Sequence, residues 1–349
     1  MEIDILQEQE VAILRELIAA SSQIVITCHK SPDGDALGAS LGWAEYLRVC
    51  HEKDPVIVVP DAYPDYYLWL PNTEKIVRYD KHPEKGDLLL KTADLIFCLD
   101  FNESGRTELM KQSLDASAAQ KVMIDHHLNP QMDTALTISH PELSSTSELI
   151  FRIVWQMGDF EAMKKHFAVP IYCGMMTDTG SFTYNSSYPE IYFIVGQLLT
   201  KRINKDSIYR KVYHNFSSWA IRFRGYIMCH KLKVSDEFHA AYFSISAKEM
   251  RDFHFIRGDV EGLVNEPLRI KGMKLSISIR EDDRTPNLVW VSLRSVGDFP
   301  CNKMAEEFFN GGGHLNASGG RLYCSLEEAE KVIVEAIRAY ESQLKSSEN

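Results

Sequence analysis

Residues 24–38 have the sequence IVITCHKSPDGDALG, in which a short apolar run leads through a loop into a helix-forming segment. An apolar run of four residues is typical of a strand that is buried on both faces of a parallel sheet. The loop after it, marked by proline and glycine, carries His29, Asp33 and Asp35. This succession of strand, polar loop and helix predicts an open α/β sheet with a ligand site beside the carboxyl end of the strand.

Three further apolar runs at 56–59, 94–99 and 121–124 repeat this pattern, and helical stretches separate them. Short buried strands that alternate with helices predict a doubly wound, mainly parallel sheet. We assign this catalytic domain to residues 1–200.

The pattern changes in the second half of the chain. A polar and aromatic stretch at 201–229 has no clear strand and predicts a helical linker. Residues 230–345 then contain strands with alternating apolar and polar positions and a final helix, which predicts a smaller α+β domain.

Acidic residues and histidines recur at the ends of the predicted elements. The third strand ends in Asp100, the fourth in Asp125-His126-His127, and a later helix in Asp178. The carboxyl ends of parallel strands meet at one edge of a sheet, so we expect these side chains to converge with those of the first loop.

Crowded carboxylates repel one another unless cations lie between them. Taken alone, Asp33 or Asp35 could simply cap a helix and His29 could be a surface residue, but four separate segments bring such side chains to one edge. Four aspartates and two histidines form a mixed oxygen and nitrogen donor set that could hold two divalent ions, one carboxylate bridging them. The absence of thiolates favours manganese, with magnesium or cobalt as alternatives.

Composition narrows the class of protein. The 349 residues include 38 Lys+Arg and 49 Asp+Glu, which gives a net charge of −11 and argues against a protein that coats long duplex DNA. Seven cysteines without a C-x-x-C pair fit a reducing compartment. With no long apolar run and no signal-peptide pattern, we predict a cytoplasmic location and no membrane partner.

The chain resembles the DHH phosphoesterase superfamily, and within it the NrnA-type nano-RNases that are often also pAp phosphatases. The matching pieces of the first domain are His29-x-x-x-Asp33-x-Asp35-Ala36-Leu37-Gly38, Leu99-Asp100, Asp125-His126-His127 and Thr177-Asp178-Thr179-Gly180-x-Phe182. The pieces of the second domain are Gly311-Gly312-Gly313-His314-x-Asn316-Ala317-Ser318-Gly319 and the strand that contains Arg294, which look like the DHH-associated C-terminal domain.

The resemblance implies a role for each of these residues. One metal ion would be held by His29, Asp33 and Asp100, and Asp100 would bridge to a second ion. The ligands of that second ion would be Asp35, Asp100, His126 and Asp178. Catalysis would also use His127, facing the substrate phosphate, and Asp125, orienting the histidines. The substrate would be bound by His127, Arg294, Gly311, Gly312, Gly313, His314 and Asn316.

The glycine run has a physical interpretation of its own. Successive glycines let the backbone approach an anion and turn its N–H groups toward it; the alternative is an ordinary glycine-rich turn.

The resulting hypothesis is a metal-dependent phosphodiesterase that hydrolyses short oligoribonucleotides to mononucleotides, with pAp 3′-phosphatase as an additional activity. A homodimer is suggested by the family resemblance alone. The first alternative is a cytosolic phosphodiesterase of cyclic or linear dinucleotides. The second is a nucleotide-binding module without catalytic activity.

Overall fold

The computed structural model describes residues 3–256 and 258–346, which form two compact units divided between Asn215 and Phe216. Each unit contains one six-stranded sheet. The division falls inside the predicted linker 201–229, so its first helix belongs to the first unit and its remainder to the second.

The sheet of the first unit is parallel throughout, as the four apolar runs predict. Its strands are β1 (Ile24–Thr27), β2 (Val56–Val59), β3 (Val77–Arg78), β4 (Leu95–Leu99), β5 (Gln120–Asp125) and β6 (Leu136–Ser139). Their spatial order is β3-β2-β1-β4-β5-β6. The sequence did not predict β3 and β6, because each is a short edge strand without a long apolar run.

Helices cover both faces of this sheet. They are α1 (Glu8–Ala20), α2 (Gly34–His51), α3 (Pro83–Thr92), α4 (Lys111–Ala116), α5 (Thr146–Gln156), α6 (Lys165–Asp178), α7 (Pro189–Thr200) and α8 (Lys205–Tyr213). Alternate residues of β1 pack on opposite faces: Ile24 and Ile26 join the larger hydrophobic core, and Val25 joins the smaller one. The doubly wound α/β class predicted from the sequence is therefore confirmed.

The strand order reverses between β1 and β4. At such a switch point the connections leave in opposite directions, and a crevice opens beyond the carboxyl ends of the two strands. The fold thus creates its ligand crevice at the ends of the strands that lead to His29 and Asp100.

Helices α2 and α6 approach closely behind this crevice because glycines face the contact. A Cβ on Gly38 would lie 2.5 Å from the carbonyl oxygen of Pro170, and one on Gly174 would lie 2.8 Å from Oδ1 of Asp35 and overlap the Ser147 hydroxyl. The glycines therefore allow the backbones of α2 and α6, which both carry candidate site residues, to come into contact.

The second unit has a mixed sheet in the order β11-β12-β10-β9-β8-β7, in which only β8 and β9 are parallel. Its strands are β7 (Lys233–Ser235), β8 (Ala240–Ile245), β9 (Leu275–Glu281), β10 (Leu288–Ser295), β11 (Gly312–His314) and β12 (Ala317–Tyr323). Its α-helices are α9 (Ser218–Tyr226), α10 (Ala247–Asp252), α11 (Cys301–Phe308), α12 (Leu326–Ala339) and α13 (Glu341–Lys345). The predicted α+β class is correct, although the predicted glycine loop begins an additional strand, β11.

Candidate metal centre

The predicted ligands of the first unit all reach the switch-point crevice from the ends of secondary structure. His29 lies two residues beyond β1, and Asp100 directly follows β4. Asp33 is the N-cap residue of α2, whose first turn contains Asp35. Asp178 is the last residue of α6.

Among the described residues, Asp100 belongs to three clusters of donor atoms: one contains Asp125 and His127, and the other two consist of predicted metal ligands. The Asp100 carboxylate lies within 4.8 Å of the donor atoms of His29 and Asp33, which also lie that close to each other. The same relation holds for Asp100, Asp35 and His126. Asp100 is thus common to both clusters of predicted ligands, as a bridging carboxylate would be.

In their neutral form, His29 and His126 present an unprotonated nitrogen to these carboxylates. Nδ1 of His29 lies 2.8 Å from the carbonyl oxygen of Lys30, and Nδ1 of His126 lies 3.3 Å from that of Leu143. A carbonyl oxygen only accepts hydrogen bonds, so in a neutral ring the proton sits on Nδ1 and the lone pair on Nε2. The carbonyls therefore orient both rings as ligands.

The spacing around each Nε2 atom suits a shared cation better than a hydrogen bond. His29 Nε2 lies 3.4 Å from Asp100 and 3.7 Å from Asp33. His126 Nε2 lies 3.5 Å from both Asp100 and Asp178. Hydrogen bonds from nitrogen to oxygen are shorter, about 2.7–3.2 Å, whereas two atoms each about 2.1 Å from one ion lie about 3.0–3.4 Å apart.

Asp35 is held by the N-terminus of α5. Its Oδ2 accepts the backbone N–H of Thr146 at 2.6 Å, and its Oδ1 accepts that of Ser147 at 2.8 Å. These N–H groups have no partner within the helix, and the helix dipole favours negative charge at this end. The α5 N-terminus thereby stabilises a carboxylate whose side chain is only 1% exposed.

Asp100 occupies a strained position. Its φ angle is +64°, in the left-handed region that most residues avoid but that aspartate and asparagine tolerate. The backbone N–H bonds the Ile124 carbonyl at 3.1 Å, and Oδ1 accepts the Thr146 hydroxyl at 2.9 Å. Neighbouring chain segments therefore fix both the backbone and the carboxylate of the residue that joins the two clusters.

Asp178 and Asp33 lie on the accessible side of the centre, with side chains 29% and 56% exposed. Asp178 ends α6, where the helix dipole disfavours negative charge. Asp33 divides its carboxylate between two tasks: Oδ1 caps α2, and Oδ2 faces His29. The sequence offered two roles for Asp33, a helix cap and a metal ligand. In the structure the two roles use different oxygens of its carboxylate.

The pKa values reflect this crowding. Burial and the neighbouring Asp100 and Asp178 raise the pKa of Asp35. Burial, Asp33 and Asp100 raise the pKa of Asp178 to about 7. Although burial alone would lower it, the surrounding aspartates raise the pKa of His29 to about 8 and that of His126 to about 9. Without metal, protons provide the positive charge that these carboxylates require.

His127 has a different environment. Its Nδ1 lies 2.7 Å from Oδ1 of the fully buried Asp125. Asp125 thus orients His127, whereas the Leu143 carbonyl orients His126, so the expectation that Asp125 orients both histidines is too broad.

Comparisons with known proteins agree with this arrangement. Residues 23–175 match the model of the DHH family, N-terminal domain, and residues 239–343 match that of the DHHA1 domain. The chain belongs to the DHH family. The sequence prediction of DHH and DHH-associated domains is confirmed.

Individual relatives are similar over most of this DHH chain. The bifunctional oligoribonuclease and PAP phosphatase NrnA of Thermus thermophilus is 26% identical over 92% of this chain and 91% of that protein. The cyclic-di-AMP phosphodiesterase PdeA of Listeria monocytogenes is 25% identical over 94% of this chain but only 49% of that protein. The crystal structure of an exopolyphosphatase-related protein from Bacteroides fragilis is 46% identical, with a TM-score of 0.93 over 98% of this chain and 99% of that one.

In the DHHA1 domain, two of the predicted substrate residues lie on the two strands that flank β12. Arg294 and His314 both pair with Ala317, one from each neighbouring strand, so they lie at the same level of the sheet. The amide of Asn316 donates to the Ser295 hydroxyl and the Gly297 carbonyl, both at 2.9 Å. Asn316 therefore shapes the β11–β12 turn, whereas Arg294 and His314 carry the side chains suited to an anion.

The glycine run of the DHHA1 domain has a structural reason. A Cβ on Gly311 would overlap the backbone of Gly319, and the N–H of Gly311 already donates to Ala305 at 3.1 Å. Gly312 and Gly313 lie in β11, where Gly313 has a φ angle of +142°. Close packing of the hairpin against α11 thus requires glycine whether or not an anion binds.

Sequence reasoning missed the segment before and at the start of α5. The Glu148 carboxylate accepts the N–H and hydroxyl of Ser144 and pairs with the buried Arg152 at 2.7 Å. This network fixes the turn that delivers the Thr146 and Ser147 N–H groups to Asp35. The cluster of serine and threonine before an apolar run, followed by glutamate, was the available signal.

We expect Thr146→Val to lower kcat/KM on an RNA dinucleotide by about 10- to 100-fold, the usual effect of removing a group that positions a metal ligand. Valine matches threonine in shape and keeps the backbone N–H that Asp35 uses, but it loses the hydroxyl bond to Asp100. Initial rates at fixed Mn²⁺ measure the effect. Thr146→Ser is the matched control, and equal losses in both variants would contradict a role for the hydroxyl.

Proposed function

We propose that this protein is a metal-dependent phosphodiesterase that hydrolyses short oligoribonucleotides to mononucleotides, with pAp 3′-phosphatase as a second activity. The observation that carries the proposal is the pair of donor clusters that share Asp100 in a DHH family fold. The similarity to NrnA over nine-tenths of both chains supports the choice of substrate.

The donor clusters support five of the proposed ligands, and Asp178 is added because it lies 3.5 Å from Nε2 of His126. His29, Asp33 and Asp100 hold one divalent ion, and the ligands of the other are Asp35, Asp100, His126 and Asp178. Carboxylate and imidazole donors without thiolate suit Mn²⁺. Such ions, when bound, lower the pKa of water and neutralise charge on phosphoryl oxygens.

The remaining residues act on the substrate. His127, oriented by its contact with Asp125, faces a phosphoryl oxygen of the substrate. In the DHHA1 domain, Arg294 and His314 provide donors for a second phosphate or a terminal one. Point contacts of this kind favour substrates of a few nucleotides.

A product time course with Mn²⁺ tests the proposal. The substrates are an end-labelled RNA dinucleotide, a longer RNA, pAp, cyclic di-AMP and tripolyphosphate. Faster turnover of the RNA dinucleotide and pAp supports the proposal. The similarity to PdeA makes cyclic dinucleotides the second candidate, so a preference for cyclic di-AMP would replace the first proposal with that one. Binding without hydrolysis of any substrate would indicate a module without catalytic activity.

Mn²⁺ binding at pH 7 should release at least two protons, because the pKa values of His29 and His126 lie at about 8 and 9 and that of Asp178 at about 7. Both histidines are protonated at pH 7 without metal and must lose that proton to become ligands. Affinity should therefore rise with pH and level off above about 9. Calorimetry in two buffers of different ionisation enthalpy counts the protons, and a heat independent of buffer would contradict the assignment.

A further inference from the structure

A second candidate site in the first unit is a cavity of about 540 Å³ beside the turn that follows Asp178. Its size lies within the range of small-molecule sites. Neither the ligand assignment nor the family comparisons give it a role.

Aromatic rings form much of its wall, namely those of Tyr172, Phe182, Tyr192 and Tyr209. The rings of Tyr172 and Phe182 lie 5.7 Å apart. Tyr172 is only 5% exposed, and its hydroxyl makes no hydrogen bond with any of the described residues. The hydroxyl can therefore hydrogen-bond to water or to a ligand in the cavity.

Positive charge lines the other side. Lys205, Arg210 and His214 face the cavity together with one acid, Asp206, which pairs with Lys205 at 2.8 Å. The guanidinium of Arg210 has no hydrogen bond or ion pair within residues 3–256 and 258–346. Asp206 interacts with Arg210 electrostatically but makes its direct ion pair with Lys205. A guanidinium placed in this way beside aromatic rings suits an anion that carries a flat ring.

The cavity adjoins the proposed metal centre along the chain. Gly180, Ser181 and Phe182 have φ angles of +54°, +62° and +63°, which form a left-handed turn. The Thr179 hydroxyl accepts the Phe182 N–H at 2.9 Å and stabilises this turn. Ser181 lies three residues from Asp178, a span of at most about 11 Å. Left-handed backbone at residues other than glycine persists only where the surrounding structure imposes it, and such positions are common at binding sites.

We infer that this cavity binds a nucleotide of the oligoribonucleotide other than the one being released, with its base on the tyrosine rings and its phosphate on Arg210. The inference rests on the proposed function for its substrate class. Base stacking on aromatic side chains together with a cationic groove is the usual chemistry of single-stranded RNA binding.

Binding in the absence of metal tests the cavity separately from catalysis. The probe is a fluorescein-labelled RNA pentamer, measured by anisotropy with the full chain in EDTA. We expect Arg210→Ala and Tyr209→Ser each to weaken binding about 5- to 50-fold, the range of one stacking or charge contact. The matched controls, Lys91→Ala and Tyr188→Ser, replace exposed residues outside the cavity and should bind as the wild type does.

Turnover gives the second readout. On the pentamer, the kcat/KM of the two cavity variants should fall by about the same factor as their affinity. On bis(p-nitrophenyl) phosphate, which is too small to reach both the cavity and the metal centre, they should keep the wild-type rate. Unchanged pentamer binding in the variants would overturn the inference. A change from dimer to monomer with RNA binding intact would overturn it as well, because this face would then be an interface between copies of the chain. If the wild type hydrolyses no RNA yet the variants lose pentamer binding, the proposed function fails and the cavity assignment stands.

Discussion

Asp100→Asn is expected to lower kcat/KM on an RNA dinucleotide by about 10³-fold or more and to abolish tight binding of both Mn²⁺ equivalents. Asp100 is the carboxylate common to both donor clusters, so its loss affects both ions. Asparagine tolerates the left-handed backbone at this position, and the fold should therefore persist.

Two variants provide the comparison for Asp100→Asn. Asp33→Asn removes a ligand of one cluster only, from a side chain that is 56% exposed, and should cost about 10- to 100-fold. Asp133→Asn lies on an exposed loop of the same unit and should have no effect. Equal losses at positions 33 and 100 with Mn²⁺ in excess would rule out a shared carboxylate.

Gly174→Ala should destabilise the first unit by about 2–3 kcal/mol, the usual cost of overpacking a close contact. The added methyl group would overlap the Ser147 hydroxyl and press on Oδ1 of Asp35, so α6 must move away from α2 and α5. For a unit of this size the midpoint of thermal unfolding should fall by about 4–12 °C. Activity should fall as well, because Asp35 and Asp178 lie on the two helices that separate.

The matched control for Gly174→Ala is Gly196→Ala in α7. Gly196 is exposed, and a Cβ there would meet no atom within 4 Å. Alanine at such a helical position should stabilise by up to about 1 kcal/mol. Thermal unfolding and activity measured on both variants check the pair; an unchanged melting temperature for Gly174→Ala would show that the α2–α6 contact has room for a methyl group.

Much of the fold could be predicted because its central strands are uniform apolar runs. β1 and β2 span the predicted residues, β4 differs from its prediction by one residue at one end, and β5 differs by one residue at each end. The edge strands β3 and β6, with two and four residues, are stabilised by pairing with a neighbour and not by their own pattern. The final helix, predicted at 325–343, is interrupted at Tyr340. No proline or glycine at that position marks the break in the sequence.

The candidate ligands could be predicted because parallel topology brings strand ends together. The groups that orient them could not, since the Leu143 carbonyl and the α5 N–H groups are backbone atoms that any residue supplies. The cavity beside Asp178 could not be predicted either. Its aromatic residues come from helix faces, where the same residue types more often fill a core.

The crowding of aspartates at the switch point bears on how this chain can evolve. Asp35 and Asp178, whose pKa values are raised, cost folding energy when ionised without a cation, so replacing Asp178 with a neutral residue should make the metal-free protein more stable. If selection acted on stability alone, substitutions would therefore remove aspartates from the cluster. A descendant that only bound nucleotides would become more stable by losing these carboxylates, whereas this chain carries all of them.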